Sequence, residues 1–194
     1  MEFSKLVRRS RSYRRFDEER RVSKEALRSL VELARYAPSG ANRQPIKFLL
    51  AADPSECEAM YPHLAWAGYL ESWSGPEPGE RPVAYIVILH DTEVSKDPGV
   101  DHGIAAQTML LGAAEQGMGG CMLGAIKRDG IRRSFSIPER YEILLVVALG
   151  YPCETVVVED TGSDGSIRYY RDQKDTHHVP KRTLDELIVS FSAE

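Results

Sequence analysis

The segment DHGIAAQTMLLGAAEQGM, residues 101–118, decides the fold because it has a helical pattern and is apolar on nearly every side. A helix without a polar face must be buried, either at the centre of a domain or against a second subunit. Gly117, Gly119 and Gly120 end this helix, since glycine readily adopts the backbone conformation that terminates helices. The sequence therefore predicts one long buried helix just past the middle of the chain.

Continuous apolar runs at residues 83–89 and 141–150 predict two strands that are buried on both faces. Ser23 is predicted to cap a helix that ends before Pro38, with Val22 and Leu27 forming a hydrophobic staple. The other predicted elements are helices at 2–9 and 54–67, strands at 47–52 and 121–126, an exposed β-hairpin of 156–158 with 167–170, and a last helix or strand at 183–189. The strands are too few for a doubly wound fold, so we predict an α+β fold in a single domain, residues 1–194.

Composition excludes several classes of protein. The 194 residues include 42% hydrophobic residues and carry a net charge of −4, which argues against nucleic acid or anionic membrane as a partner. No apolar run reaches about 18 residues, and the N-terminus lacks the apolar middle of a secretory signal, so neither a membrane span nor export is expected. The three widely separated cysteines form neither a metal pattern nor a disulfide framework, and we expect a cytoplasmic protein.

Two segments carry a chemically suggestive pattern. Residues 9–16 alternate guanidinium and hydroxyl groups, which can bind a phosphate or a polarised heterocycle, although isolated basic clusters are more often solvated. The loop at residues 38–45 contains Ser39, Asn42 and Gln44, which can hydrogen-bond the edge of a planar ring. Turn preferences explain most of this loop but not Gln44.

Two further segments are weaker signals. Residues 119–124 form a glycine-framed strand whose backbone could approach a ligand closely, without the fingerprint of a dinucleotide-binding loop. His177 and His178 are adjacent, so their side chains point apart in an extended strand, and no metal site is predicted. The cysteines are interpreted as small buried hydrophobic residues.

Several short segments, in order along nearly the whole chain, resemble the nitroreductase family of FMN enzymes. Each is common alone, but the ordered set is specific. The segments are RSYRRF (11–16), APSGANRQP (37–45), DHGIAAQ (101–107), GMGGC (117–121), LGYP (149–152) and the basic tail before LDEL (184–187).

The resemblance implies an intertwined α+β homodimer, with a central mixed or antiparallel sheet flanked by helices and FMN in a cleft between subunits. It places Arg11 and Ser12 near the flavin phosphate, Arg14 near N1 and O2, and the 38–44 loop against the flavin from the other subunit. Backbone amides after the central helix would lie beside N5. The implied FMN contacts are Arg11, Ser12, Tyr13, Arg14, Pro38, Ser39, Gly40, Asn42, Gln44, Leu123 and Gly124, with Lys181 or Arg182 at the phosphate.

The implied activity is an FMN-dependent oxidoreductase that passes two electrons from NAD(P)H to a small acceptor, such as a nitroaromatic or a quinone, by a ping-pong mechanism. The flavin carries the chemistry, so no catalytic side chain is predicted. A flavin carrier or sensor, a same-fold enzyme that performs enoate reduction, dehalogenation or flavin fragmentation, and a basic-armed nucleic-acid binder are the alternatives.

The sequence departs from the family at three places. Ser10 stands where many members have an arginine, so Arg9 or Arg11 would substitute for it. Ile46 stands where many members have an aromatic residue. A short loop carrying Trp66, Tyr69 and Trp73 replaces the helical excursion of larger members. These rings could form a lid over the flavin, or they could make core or dimer contacts, and core or dimer contacts are favoured for Trp66.

Overall fold

The computed structural model describes residues 2–190, which form two compact units. The first unit contains the residues up to Trp66 together with Ser74–Cys153, and the second contains Ala67–Trp73 and the residues from Glu154 onward. The prediction of one domain covering residues 1–194 stays a prediction.

A four-stranded antiparallel sheet forms the centre of the first unit. Its strands are β1 (Ile46–Ala51), β2 (Ala84–Asp91), β3 (Gly119–Leu123) and β4 (Tyr141–Gly150), in the spatial order β1-β2-β4-β3. Every residue of β2 is buried, because this strand is central and covered on both faces. The two apolar runs therefore form the inner strands, as predicted, and β1 and β3 form the edges.

Five helices accompany this sheet: α1 (Phe3–Arg9), α2 (Lys24–Arg35), α3 (Pro54–Met60), α4 (Asp101–Glu115) and α5 (Arg128–Ser134). Ser23 caps α2 as predicted, accepting a hydrogen bond from the Ala26 amide at 3.1 Å. Leu27 and Leu30 of α2 share the buried core with α4. Gly112 lets α2 approach α4 closely, because a Cβ there would collide with the Leu33 side chain.

One side of α4 is buried and the other is not. Ala106, Met109 and Ala113 are fully buried in the core, which confirms the prediction of a buried helix. The opposite side lines a shallow apolar groove of about 520 Å³, formed by Val100, Gly103, Ile104, Gln107, Thr108 and Leu111. Within the described chain this apolar surface has no cover.

Three predicted boundaries were wrong. The helix predicted at 54–67 ends at Met60 and continues as a 3₁₀ turn, Tyr61–His63, because Pro62 has no amide hydrogen to donate back along a helix. The central helix ends at Glu115, and Gly117 turns the chain with a φ of 78°. The strand predicted at 121–126 occupies Gly119–Leu123.

The second unit contains a three-stranded mixed sheet and a short helix. Its elements are β5 (Val156–Asp160), β6 (Tyr170–Arg171), β7 (His177–Lys181) and α6 (Leu184–Leu187), with strand order β5-β7-β6. The predicted hairpin of residues 156–158 with 167–170 is wrong. Strand β7 lies between β5 and β6 and takes the hydrogen bonds of both, parallel to β5 and antiparallel to β6.

Candidate functional site

The basic arm, residues 10–16, follows α1 and is fixed along the edge strand β3. Ser12 forms a parallel bridge with Gly120, and the Tyr13 amide donates to the Gly120 carbonyl at 3.0 Å. Phe16 is fully buried and bridges Pro152. The arm therefore behaves as an added strand, which is a different arrangement from a solvated basic surface.

Gly119 of β3 allows this close approach, because a Cβ there would lie 2.6 Å from the ring of Tyr13. Gly120 serves a different contact, since a Cβ there would lie 2.5 Å from the Ala148 carbonyl oxygen of β4. Neither distance is possible for a real side chain, so the pairing of the arm requires glycine at 119 and the packing of β3 on β4 requires glycine at 120.

The arm presents cationic groups. Arg11 Nη2 donates to the Val7 carbonyl at 2.8 Å, and Arg14 Nη1 donates to the Ser12 carbonyl at 3.3 Å. Arg11 makes no ion pair with any residue in the range 2–190, and its buried Nε has no hydrogen-bond partner there. A guanidinium held by carbonyl groups keeps its full charge and can bind an anion.

The polar loop, residues 38–45 between α2 and β1, is held by the first turn of α4. Ser39 Oγ donates to Asp101 Oδ2 at 2.5 Å, and the Gly40 amide donates to Asp101 Oδ1 at 3.0 Å. Ser39 Oγ also accepts from the Gln44 amide at 2.9 Å. The Ser39 hydroxyl proton is therefore used inside the protein, and this residue orders the loop.

This loop contains three non-glycine residues with left-handed backbone. The φ angles are 51° at Ala41, 54° at Asn42 and 53° at Gln44. Such conformations cost on the order of 1 kcal/mol each and persist where the surroundings impose them, often at functional sites. Asn42 and Gln44 are exposed, as is Pro38, and Gln44 Nε2 donates to the Asn42 carbonyl at 3.2 Å.

The arm and the loop belong to opposite edges of the sheet. The arm pairs with β3, whereas the loop leads into β1, and β2 and β4 lie between these strands. Three spacings of about 4.8 Å separate the two edge strands, which amounts to roughly 14 Å. A single copy of the chain therefore does not bring the two predicted flavin-binding segments together.

The end of β3 lies on the same edge as the arm. Leu123 is buried, and Gly124 follows it as an exposed residue. No atom lies within 4 Å of the position that a Cβ of Gly124 would take. The backbone at this position therefore faces open space that a flat ligand could occupy.

The second unit holds the two predicted phosphate-binding residues. Lys181 is the exposed last residue of β7, and Arg182 forms an ion pair with Glu186 at 3.4 Å. Because Arg182 is paired, Lys181 is the more available cation of the two. Their role at a phosphate stays a prediction.

The aromatic residues and cysteines divide by environment. Trp66 is 8% exposed and belongs to the core of the first unit, as predicted. Tyr69 packs on Tyr169 in the second unit, with ring centroids 4.8 Å apart. Cys57 and Cys121 are buried as expected, but Cys153 is exposed, because it follows the last strand of the sheet.

Among residues 2–190, no group of three or more His, Cys, Asp or Glu side chains is arranged to hold a metal ion. His177 is buried, and His178 lies between Glu159 and Asp172, with nitrogen–oxygen distances of 2.9 and 3.5 Å. Within the same range, no helix has the length and apolar character needed to cross a membrane.

Sequence reasoning missed Asp101 as a determinant of the site. An acidic residue in the first turn of a helix indicates only a favourable interaction with the helix dipole. Nothing in the sequence pairs it with Ser39, which lies 62 positions earlier. This contact follows from the packing of α2 and α4, and only the tertiary structure reveals it.

Comparison with known proteins places the chain among nitroreductases. The sequence profile of the nitroreductase family matches residues 7–151. A relative from Methanothermobacter thermautotrophicus, named for NADH dehydrogenase/NAD(P)H nitroreductase activity, is 29% identical over 167 residues, 82% of each chain. A relative of the same name from Archaeoglobus fulgidus is 30% identical over 156 residues, 76% of this chain and 84% of the relative.

Solved structures share the fold. A nitroreductase family protein from Streptococcus pneumoniae matches with a TM-score of 0.68 at 19% identity, covering 98% of this chain and 100% of that one. A nitroreductase from Exiguobacterium sibiricum, solved in complex with FMN, matches with a TM-score of 0.66 at 19% identity, over 79% and 90% of the two chains.

The antiparallel sheet, its flanking helices and the likeness to these structures define an α+β protein with the nitroreductase fold. The profile match spans most of the sequence, and one relative reaches 30% identity. This chain belongs to the nitroreductase family, and that membership supports an oxidoreductase activity.

Proposed function

We propose that this protein is an FMN-dependent oxidoreductase that takes two electrons from NAD(P)H and passes them to a small acceptor, such as a nitroaromatic or a quinone. The observation that carries the proposal is the docking of the basic arm onto β3, the strand that leads into the open backbone at Gly124. Cationic groups and an exposed backbone thus lie on one edge of the sheet, which suits a ligand with a phosphate and a flat polar ring. The name of the relatives and the FMN bound to one structural neighbour support the same reading.

Each group of the chain would have a defined task. When bound, FMN would supply hydride transfer from the nicotinamide and onward transfer of two electrons to the acceptor. Arg11 and Ser12 would bind the phosphate, and Arg14 would hold positive charge at the pyrimidine edge, where negative charge develops on reduction. The backbone at Leu123 and Gly124 would position the ring.

The proposal includes a homodimer in which each site uses two chains. The loop carrying Asn42 and Gln44 and the arm lie on opposite edges of one sheet, so a second copy is needed to place both on one ligand. The uncovered apolar side of α4, with Ile104 and Leu111, supports this arrangement, because a second copy could cover it.

The experiment is a reductive titration of the purified protein. We expect a yellow protein with a flavin absorbance band, anaerobic bleaching of that band by NADH or NADPH, and its return when a nitroaromatic or a quinone is added. The Arg14→Ala variant should bind FMN more weakly, whereas the control Lys96→Ala variant, which removes an exposed positive charge outside the arm and the polar loop, should bind it normally.

Three outcomes would refute parts of the proposal. A colourless protein that takes up no FMN would refute the flavin site. Bleaching by NAD(P)H without reoxidation by nitroaromatics or quinones would refute that acceptor class and favour enoate or another same-fold reaction. Binding of flavin without any reaction with NAD(P)H would indicate a carrier or a sensor.

A further inference from the structure

A cleft formed partly by residues that follow Gly124 in the sequence is strongly basic. It has a volume of about 450 Å³ and is formed where the turn after α3 meets the start of α5. Its lining residues are Pro62, His63, Ile126, Lys127, Arg128, Asp129, Gly130 and Arg133. Three permanent cations and a histidine thus face a single carboxylate, in a protein whose net charge is −4.

Lys127 and Arg133 carry positive charges with which no anionic side chain of the described residues pairs. Lys127 Nζ donates only to the Pro62 carbonyl, at 3.3 Å, and neither Lys127 nor Arg133 makes an ion pair with any residue that the structure describes. The Arg128 guanidinium is fixed in place, because it donates to the carbonyls of Ile143 and Leu144 at 2.8 and 3.0 Å. Asp129 is the one carboxylate in the lining, so the cleft keeps an excess of positive charge.

His63 is seated in the wall of this cleft by two contacts. Its Nε2 lies 3.0 Å from Ser134 Oγ, and its ring packs on Gly130, where a Cβ would collide with Nδ1. Burial first, and then the positive charges of Lys127 and Arg133, lower the pKa of His63 below 6.5. The pKa of His63 therefore depends in part on the positive charges around it.

The cleft adjoins the proposed flavin site through the backbone. Leu64 bridges Ile126, and the Ala65 amide donates to the Ala125 carbonyl at 3.0 Å, so the segment after Gly124 forms the shared wall. Lys127 lies three positions after Gly124, so the Cα atoms of the two residues are at most about 11 Å apart. A ligand that carries a flat ring and, at a distance from it, phosphate groups could place the ring at Gly124 and the phosphates in the basic cleft.

We propose that Lys127 and Arg133, with His63, bind the phosphate groups of the reduced nicotinamide dinucleotide while its nicotinamide ring lies over the flavin. This inference rests on the proposed function and adds a location for electron-donor recognition. Ammonium and guanidinium groups are the usual partners of phosphate, and such contacts weaken as salt rises.

The test uses the full chain and the ring resonances of His63, identified with a His63→Gln variant. Inorganic phosphate, ADP and 2′,5′-ADP are the three probes. We expect the pKa of His63 to rise when ADP or 2′,5′-ADP binds, because a phosphate offsets the neighbouring cations, while the titration of His178 stays unchanged. A larger effect with 2′,5′-ADP than with ADP would assign the cleft to the 2′-phosphate of NADPH.

The kinetic arm compares the Lys127→Gln, Arg133→Gln double variant with the matched Lys96→Gln variant, whose lysine is exposed elsewhere. We expect KM for the nicotinamide nucleotide to rise about tenfold or more in the double variant, as for the loss of a charge-assisted hydrogen bond, and kcat to stay unchanged. The Lys96→Gln variant should match the parent.

Failure of this inference differs from failure of the proposed function. Absence of bound flavin would refute the proposed function, whatever His63 does. A His63 pKa that none of the three probes moves, or a normal KM in the double variant of a working flavoenzyme, would overturn the inference. Binding of inorganic phosphate with no tighter binding of either nucleotide would also overturn it, because the cleft would then be a general anion site.

Discussion

Asp101, in the first turn of α4, holds Ser39 of the polar loop through a hydrogen bond of 2.5 Å between Ser39 Oγ and Oδ2. The second carboxylate oxygen accepts from the Gly40 amide. One buried acidic residue thus satisfies two donors of a loop that contains three left-handed, non-glycine residues. The order of the loop depends on this contact between distant parts of the chain.

The Asp101→Ala variant should lose this anchor. We expect the free energy of unfolding to fall by about 1–3 kcal/mol, because donors of the loop are left without their acceptor, and flavin affinity to fall with it. Chemical denaturation and a flavin fluorescence titration measure the two effects. The Asp97→Ala variant, at an exposed turn, is the control and should change stability by less than about 0.5 kcal/mol. Equal effects of the two variants would contradict the role given to Asp101.

The uncovered side of α4 should be the dimer interface. We expect the Ile104→Glu variant to be monomeric by light scattering and to bind FMN at least tenfold more weakly, because a charge cannot be buried in an apolar interface and each site needs two chains. The Val94→Glu variant, at a residue that is 43% exposed, should stay dimeric and yellow. A folded monomeric Ile104→Glu protein with normal flavin affinity would refute the two-chain site.

Gly120 in β3 and Gly124 just after the strand should respond differently to an added methyl group. The Gly120→Ala variant places Cβ 2.5 Å from the Ala148 carbonyl oxygen and 2.7 Å from Leu110 Cδ2, so we expect a loss of about 1–3 kcal/mol of stability. The Gly124→Ala variant meets no atom within 4 Å and should keep its stability. Urea unfolding of both proteins without flavin checks this difference. Similar midpoints for the two variants would contradict the close packing of β3 against β4 and α4.

The pH dependence of the second unit should reflect His178. Hydrogen bonds to Glu159, and to a smaller extent to Asp172, raise the pKa of His178 above 6.5. A raised pKa means that the folded protein binds the proton more tightly. The stabilisation is therefore fully present below pH 6.5 and is lost as the pH rises through the folded value.

We expect an NMR titration to give a His178 pKa above 6.5, and thermal stability to decline across that window. The His178→Gln variant should lack this part of the decline. A His178 pKa at or below 6.5, or the same pH profile in the variant and the parent, would show that the contacts with Glu159 and Asp172 do not hold in solution.

The three cysteines should differ in reactivity. Burial raises the pKa of Cys57 to about 11, and Cys121 is also buried, whereas Cys153 is exposed. Because the thiolate is the reactive form, a short alkylation at neutral pH should label Cys153 first. Peptide mapping by mass spectrometry identifies the site, and the Cys153→Ser variant should resist labelling. Rapid modification of Cys57 in the folded protein would contradict its buried position.

Local patterns predicted some elements well because their causes are local. The run at residues 141–150 became β4 with the same bounds, and Ser23 caps α2 as its side chain and position require. Helix ends were less accurate. Because of Pro62, α3 ends at Met60 and a 3₁₀ turn follows it. The spacing of apolar residues does not indicate this change of helix type.

The pairing of strands in the second unit could not be read from the sequence. A turn at Gly162–Gly165 suggested a hairpin, and the Gly165 amide does donate to the Gly162 carbonyl. The flanking strands nevertheless pair with β7, which comes later in the chain. Partner choice depends on which edges lie close in space, and turn residues carry no information on that.

The sequence by itself determined the buried strands, the central helix, the basic arm and the polar loop, because hydrophobic periodicity, capping and glycine positions act over a few residues. Only the tertiary structure decided that the arm pairs with β3, that β1 and β3 form opposite edges of the sheet, and that Asp101 fastens the loop from 62 positions away. It also brought His63 to Lys127 and Arg133 in one basic cleft. Such contacts between distant positions arise when the core packs, and no local pattern encodes them.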